Sequence, residues 1–406
     1  MRADLAQALM EEFADATGVS GKAKPRRYLW TDAFAVCNFL GLARQTGEDR
    51  YLRFARELVD QVHHVLGRHR DDDPRQGWIS GLPEEEGERH PMRGGLRIGK
   101  PLNERGPDQP ADSQLEWHQD GQYFHYLTKW MHALFRMGQE TDEPHFQQWA
   151  AELAATAHKA FSYRISSGGP KRLLWKMSID LSRPLVSSMG QHDPLDGLIT
   201  CLELQTAPGF DQANGTDLTP AIADLTQMCA QARWATDDPL GIGGLLEAAT
   251  RLAELIFERG IVRHELLHQL LVEAERSLQW LDWTILLRRS AEHRLAFREL
   301  GLAIGIHGLT RISRLVERNQ VLVTVSERLQ QYQSLAEHIE AFWSDPTHQL
   351  SKTWIDHHDI NMVMLATSLA PEGFILPIGH CGNDDAVPMG KVRRRCPPPP
   401  AKRSTR

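Results

Sequence analysis

Four short segments of this chain place carboxylates beside aromatic rings or imidazoles: Trp30-Thr31-Asp32, Trp117-His118-Gln119-Asp120, His192-Asp193-Pro194-Leu195-Asp196 and His357-His358-Asp359. Each opens an apolar stretch of helical period. An Asp there can cap the free N–H groups of the first turn and gain from the helix dipole, but capping does not account for the Trp and His that come with it. Carboxylates and imidazoles move protons near neutral pH, and aromatic faces stack on the apolar C–H faces of a pyranose. Asp120 is the strongest single expectation for such chemistry, because Tyr123, Phe124, His125 and Tyr126 follow within six residues of it. Asp193 and Asp196 share one helical turn, with Pro194 suited to the first helical position and Asp193 to the cap. Two like charges this close raise one pKa, the condition a general acid needs. Asp196 and His192 therefore join Asp120 as expected catalytic groups, and Trp30, Asp32, Trp117, His118, Tyr123, Asp193, His358 and Asp359 are expected around a substrate.

The elements that must position these groups read as helical hairpins. Apolar residues recur at helical spacing over Thr31 to Gln45 and again over Asp49 to Leu66, with Thr46-Gly47-Glu48 between them. The layout repeats at Gln119–Met137 with Asp142–Phe161, and at Asp193–Thr206 with Asp217–Trp234. It repeats again at Asp238–Arg259 with Val262–Leu281, and at Leu295–Val316 with Val321–Trp343. Asp359–Leu369 has no following partner, since Pro371, Gly373 and Pro377 interrupt the pattern; the unpaired first helix, Ala3–Thr17, can supply it. Six inner and six outer helices closed by the first helix make an all-α (α/α)6 toroid. A plain solenoid would need a more regular repeat than hairpin starts near residues 31, 119, 193, 238, 296 and 359.

Two insertions interrupt the hairpins. Residues 67–116 form the longer, and a loop of that length in a compact domain is usually a lid or accessory structure. Its Arg93 and Arg97, near Gly94-Gly95, are expected to clamp a carboxylate or phosphate of an anionic substrate. Residues 162–190 carry Trp175 and Lys176 and are expected to form a short β-hairpin across the same rim, with Lys176 at the substrate. Asp71-Asp72-Asp73 is followed at once by Pro74 and reads as a solvated acidic turn. The toroid is expected over residues 1–390, and the basic, proline-rich stretch 391–406 lacks the apolar content to pack and is expected to be disordered.

With 46 basic against 53 acidic residues, a net charge of -7 and no long basic face, nucleic acid is an unexpected partner. Five widely spaced cysteines without a CxxC pair suit reduced thiols in a cytoplasm. No apolar run approaches the roughly 18 residues of a membrane span. With no HExxH, paired Cys/His spacing or glycine-rich phosphate loop, neither metal nor cofactor is expected. A small saccharide or related ligand is the expected partner, and a homo-oligomer is compatible with everything above.

The six hairpins, the Trp30-Thr31-Asp32 opening and the His118-Gln119-Asp120-Gly121-Gln122-Tyr123 segment resemble the six-hairpin glycosidase superfamily over roughly residues 1–380. The resemblance implies a carbohydrate-active enzyme. One form is a glycoside hydrolase with Asp120 and Asp196 as acid and base, inverting at a carboxyl separation of roughly 6.5–9.5 Å and retaining at about 5 Å. Another is a sugar 2-epimerase in which His118, His192 or His358 exchanges a proton beside a carbonyl. A third reading is a toroid that binds a ligand or partner without chemistry, because fold alone does not decide function.

Overall fold

The computed structural model describes residues 2–166, 169–207, 216–230 and 232–375. Its first hairpin shows why the chain sorts into two layers. Helix α2 (Leu29–Thr46) is apolar nearly all round and is buried along almost its whole length. Helix α3 (Asp49–Leu66) buries only the face carrying Tyr51, Ala55, Leu58, Val59, Val62 and Leu66. Between them Gly47 takes a left-handed φ of 71° and returns its N–H to the carbonyl of Ala43, which stops the helix.

The other inner helices are α6 (Phe124–Thr141), α8 (Asp193–Gln205), α10 (Pro239–Arg259), α13 (Ala296–Val316) and α17 (His358–Leu369). Each packs on the next, and α17 packs back on α2, so the inner layer closes into a ring of six. Outside it lie α3, α7 (Pro144–Phe161), α9 (Thr219–Cys229), α11 (His264–Trp280), α14 (Gln320–Gln330), α15 (Gln333–Ser344) and α1 (Arg2–Ala16). Helix α1 packs against α17, the partner expected for it, and one hydrophobic core runs through both layers. The fold is the (α/α)6 toroid.

Three boundaries differ from expectation, the first being that of α9, which ends at Cys229 rather than Trp234. The outer segment 321–343 is two helices broken at Gln331-Tyr332, because α14 packs on α11 and α13 whereas α15 packs on α13 and α17. The second inner helix begins at Phe124 rather than Gln119, because the preceding residues are drawn into strand β1 (Gln122–Tyr123).

Strand β1 pairs antiparallel with β4 (Lys176–Met177), placing Tyr123 opposite Lys176, and β4 pairs with β5 (Pro184–Val186). Strands β2 (Ser162–Arg164) and β3 (Lys171–Leu173) form the hairpin expected of the second insertion. The long insertion contains two short helices, Glu84–Arg89 and Ser113–Glu116. Helices α10 and α13 approach backbone to backbone: a Cβ at Gly243 would overlap the carbonyl of Gly301, and one at Gly305 the carbonyl of Gly243. The expectation of disorder over 391–406 lies outside the described residues.

Candidate functional site

A cavity of about 220 Å³ opens on the ring axis, lined by residues of all six inner helices. Helix α2 contributes Trp30 and Phe34, α6 His125 and Lys129, α8 Asp193 and Asp196, α10 Gly241, Gly244 and Glu247, α13 Gly301 and Ile304, and α17 Met364. His192, Asp238 and Trp175, the last from the turn between β3 and β4, complete the wall.

Asp193 is the distinctive group. It is the first residue of α8, no side chain caps that helix, and its carboxyl lines the cavity with the backbone of Gly190 beside it. The expectation that Asp193 is the cap is thereby corrected: the helix begins at Asp193 itself, one residue earlier than Pro194 suggested. The side chain is 7% exposed, its Oδ2 has no hydrogen-bond partner, and the nearest imidazole, His125 Nδ1, lies 3.9 Å from Oδ1. Burial, with Asp196 adding like charge, pushes its pKa up to about 7. A carboxyl with a pKa near 7 keeps its proton below neutral pH and gives it up as pH passes 7.

The two cavity histidines are held neutral. Burial pushes His125 down to about 3, with Lys129 adding to the effect. Its ring stacks within 9° of the Trp175 plane, and its Nδ1 has no hydrogen-bond partner. His192 is also lowered, chiefly by burial, and its Nε2 donates to the carbonyl of Trp234 at 2.9 Å.

Below these groups the axis is filled by ions. Lys129 Nζ donates to both oxygens of Glu247, at 2.9 and 3.0 Å, and lies 4.0 Å from Asp196 Oδ2. Burial opposes the charge on Lys129, but Asp196 and Glu247 outweigh it and its pKa rises. Arg251 continues the column, 3.5 Å from Glu247 and paired with Glu203, whose other neighbour is His132. Each charge thus has an opposite neighbour, the condition for tolerating ions in an interior.

Other expected site residues lie elsewhere. Asp120 is fully buried behind the rim, where Oδ2 accepts from Arg97 at 2.6 Å and Oδ1 from the N–H of Gly99 at 3.0 Å. This corrects its expected catalytic place: Asp120 anchors the long insertion to the loop before α6. Arg97 is used up in the same anchor, its Nε donating to the carbonyl of Arg68 at 2.7 Å, while Arg93 is exposed and lines neither this cavity nor the one beside it. The arginine clamp is corrected on both counts. Lys176 is buried and donates to Glu116 and to the carbonyl of Gln119, so it too is structural rather than substrate-facing.

Tyr123 is buried behind Trp175, their rings stacked at 5.1 Å. Trp117 stands exposed with its edge against Trp175, and His118 is exposed beside it. Asp32, His358 and Asp359 do face one another as neighbours across α2 and α17, but in a separate cavity of about 360 Å³. There Asp32 Oδ2 accepts from the N–H of Tyr28 at 2.8 Å and Asp359 pairs with Arg26 at 2.8 Å.

His125, Lys129, Asp238 and Glu247 complete the axial site without having been singled out. Lys129 and Glu247 did not stand out in the sequence, because α6 also carries Arg136 and Glu140 and α10 also carries Arg251, Glu254, Glu258 and Arg259. Among the described residues no cluster of His, Cys, Asp and Glu is arranged to hold a metal ion, and no helix is long and apolar enough to cross a membrane.

No family model matches the chain, and no curated protein matches it. Solved structures share its fold. An inactive variant of the α-1,6-mannanase GH76A of Salegentibacter sp. HEL1_6, with two aspartates replaced by alanine and α-1,6-mannotetrose bound, aligns at 10% identity. The match covers 91% of this chain and 99% of that one, with a TM-score of 0.52. The GH76 α-mannanase of Bacteroides thetaiotaomicron aligns at 8% identity over 90% of this chain and 96% of its own, also at 0.52. At these identities the likeness establishes the toroid fold, as the resemblance in the sequence implied.

Proposed function

We propose that the protein is a carbohydrate-active enzyme, a glycoside hydrolase whose reaction takes place in the axial cavity with Asp193 as general acid and Asp196 as the second carboxylate. The observation that carries this reading is the Asp193 carboxyl, which lines the cavity with one oxygen unpaired and a pKa near 7. Leaving a buried polar atom unpaired costs about 1–3 kcal/mol, an expense without structural return unless a ligand supplies the partner. The aromatic residues Trp30, Phe34 and Trp175 offer stacking surfaces for a pyranose, and a cavity of about 220 Å³ suits one sugar ring better than a large ligand. Solved mannanases with this fold, one of them inactivated at two aspartates, support a carboxylate reading as analogy.

A specific observation also favours a second reading. His125 and His192 line the same cavity as neutral imidazoles, able to accept a proton from the carbon beside a carbonyl, as a sugar epimerase requires.

One assay separates the two. The protein is incubated with α-1,6-linked manno-oligosaccharides, other α- and β-linked disaccharides and free aldoses, and its products are followed. Hydrolysis creates new reducing ends; epimerisation changes the sugar without creating any. The hydrolase reading predicts new reducing ends and their loss in Asp193→Asn. Unchanged hydrolysis in that variant overturns it, and epimer formation lost in His125→Gln or His192→Gln replaces it with the second reading.

A further inference from the structure

Helix α10 runs Gly241-Ile242-Gly243-Gly244 into the ring, and these three glycines have different causes. Gly243 faces α13 at backbone contact and cannot carry a Cβ. Gly241 sits against Thr236, whose methyl a Cβ would approach to 2.9 Å. Gly244 has neither reason. Its φ is ordinary for a helix, a Cβ built on it meets no atom within 4 Å, and it lies more than a turn inside a 21-residue helix, where glycine is the least favourable residue after proline. The space in front of it is the axial cavity.

The order of the inner ring says what faces that space. Counting α2, α6, α8, α10, α13 and α17 around the closed ring, α10 is three places from α2 in either direction, so Gly244 stands opposite the wall that holds Trp30 and Phe34. We infer that Gly244 is a specificity-determining residue: the bare backbone of α10 and the aromatic wall of α2 form the two sides of a slot for a flat, ring-shaped ligand. The slot lies beside the unpaired Oδ2 of Asp193 in the same cavity, which gives that ligand a polar partner. The inference rests on the reading of this cavity as a sugar site, and it adds that the ring must be unbranched on the face it turns to α10.

The test compares Gly244→Ala, Gly244→Leu and Gly243→Ala with the wild type in two measurements. In thermal melts Gly244→Ala should raise Tm by about 1–3 °C, because alanine favours the helix and fills open space, whereas Gly243→Ala should lower it. In turnover and binding of the saccharide found active in the panel, Gly244→Ala should lose at least tenfold in kcat/KM and Gly244→Leu should lose binding altogether, both remaining folded. A lowered Tm in Gly244→Ala would mean that the glycine has a structural cause and would overturn the inference, as would unchanged kcat/KM in Gly244→Leu. If Asp193→Asn is silent while the Gly244 variants lose binding, the catalytic reading fails and the slot stands. Should no saccharide serve as substrate, the sugar reading fails, and the melts still decide whether Gly244 is there for structure.

Discussion

A carboxyl that neither caps its helix nor meets a cation can lower its energy in an apolar wall by keeping its proton. Asp193 is in that position, and the consequence for stability has a definite sign. Its folded pKa, about 7, lies above the ordinary 3.8, so well below pH 3.8 both folded and unfolded forms hold the proton and the full stability is present. As pH rises to 7 the unfolded chain ionises first and stability is lost, by about 4 kcal/mol at most for a shift of this size. Asp193→Asn removes that loss. In melts across pH 4 to 8 the variant should gain on the wild type steadily as pH rises, and parallel curves would show that Asp193 is not held protonated. Asp120 is the contrasting case: equally buried, but met by Arg97 and by two backbone N–H groups, it serves as an anchor.

The helices fix which of these residues meet. The outer cover of α17 is supplied by α1, with Ala6, Leu9, Met10, Phe13 and Ala14 buried. Removing residues 1–24 should expose that face of α17 and produce aggregation or a large fall in Tm; a shortened chain that melts like the full one would contradict that role. Much of this was legible in sequence, because inner and outer helices differ in how far round the apolar residues run, as α2 and α3 show. The rim was legible at Asp193, Asp196 and Trp30, which sit in the first turns of inner helices, and at His192 just before α8. It failed at Asp120, because a two-residue strand carries no periodicity and the pairing of Tyr123 with Lys176 is a contact between distant segments. It failed also at Arg97, since a run of arginines does not reveal which one meets a buried acid. The break at Gln331-Tyr332 was hidden for a similar reason: what splits α14 from α15 is a change of packing partner.

Across the whole toroid, buried acids pull stability in two directions. Burial raises Asp32 to about 6, Asp193 to about 7 and Glu254 to about 8, so each withdraws stability as pH climbs from about 4 to 8. Asp73, bound by Arg75, and Glu203, whose burial is outweighed by Arg251, are held below the ordinary carboxylate range. Their contribution is complete above pH 4.5 and lost in stronger acid. Buried His63 and His125, both held near 3, withdraw stability in turn as pH falls below about 6.5, so the acids act unopposed only above neutrality: Tm should fall from pH 7 to pH 8, and a Tm that rises over that interval would contradict these assignments. The same proton links stability to turnover, since an acid that must be protonated stops working as it ionises. The decisive measurement is kcat against pH for the wild type and Asp193→Asn on a saccharide that the wild type cleaves. The account predicts a wild-type rate that falls above about pH 7, and a variant slowed roughly 100- to 10,000-fold that has lost that limb while staying folded. A variant turning over at the wild-type rate, with the same fall above pH 7, would contradict it.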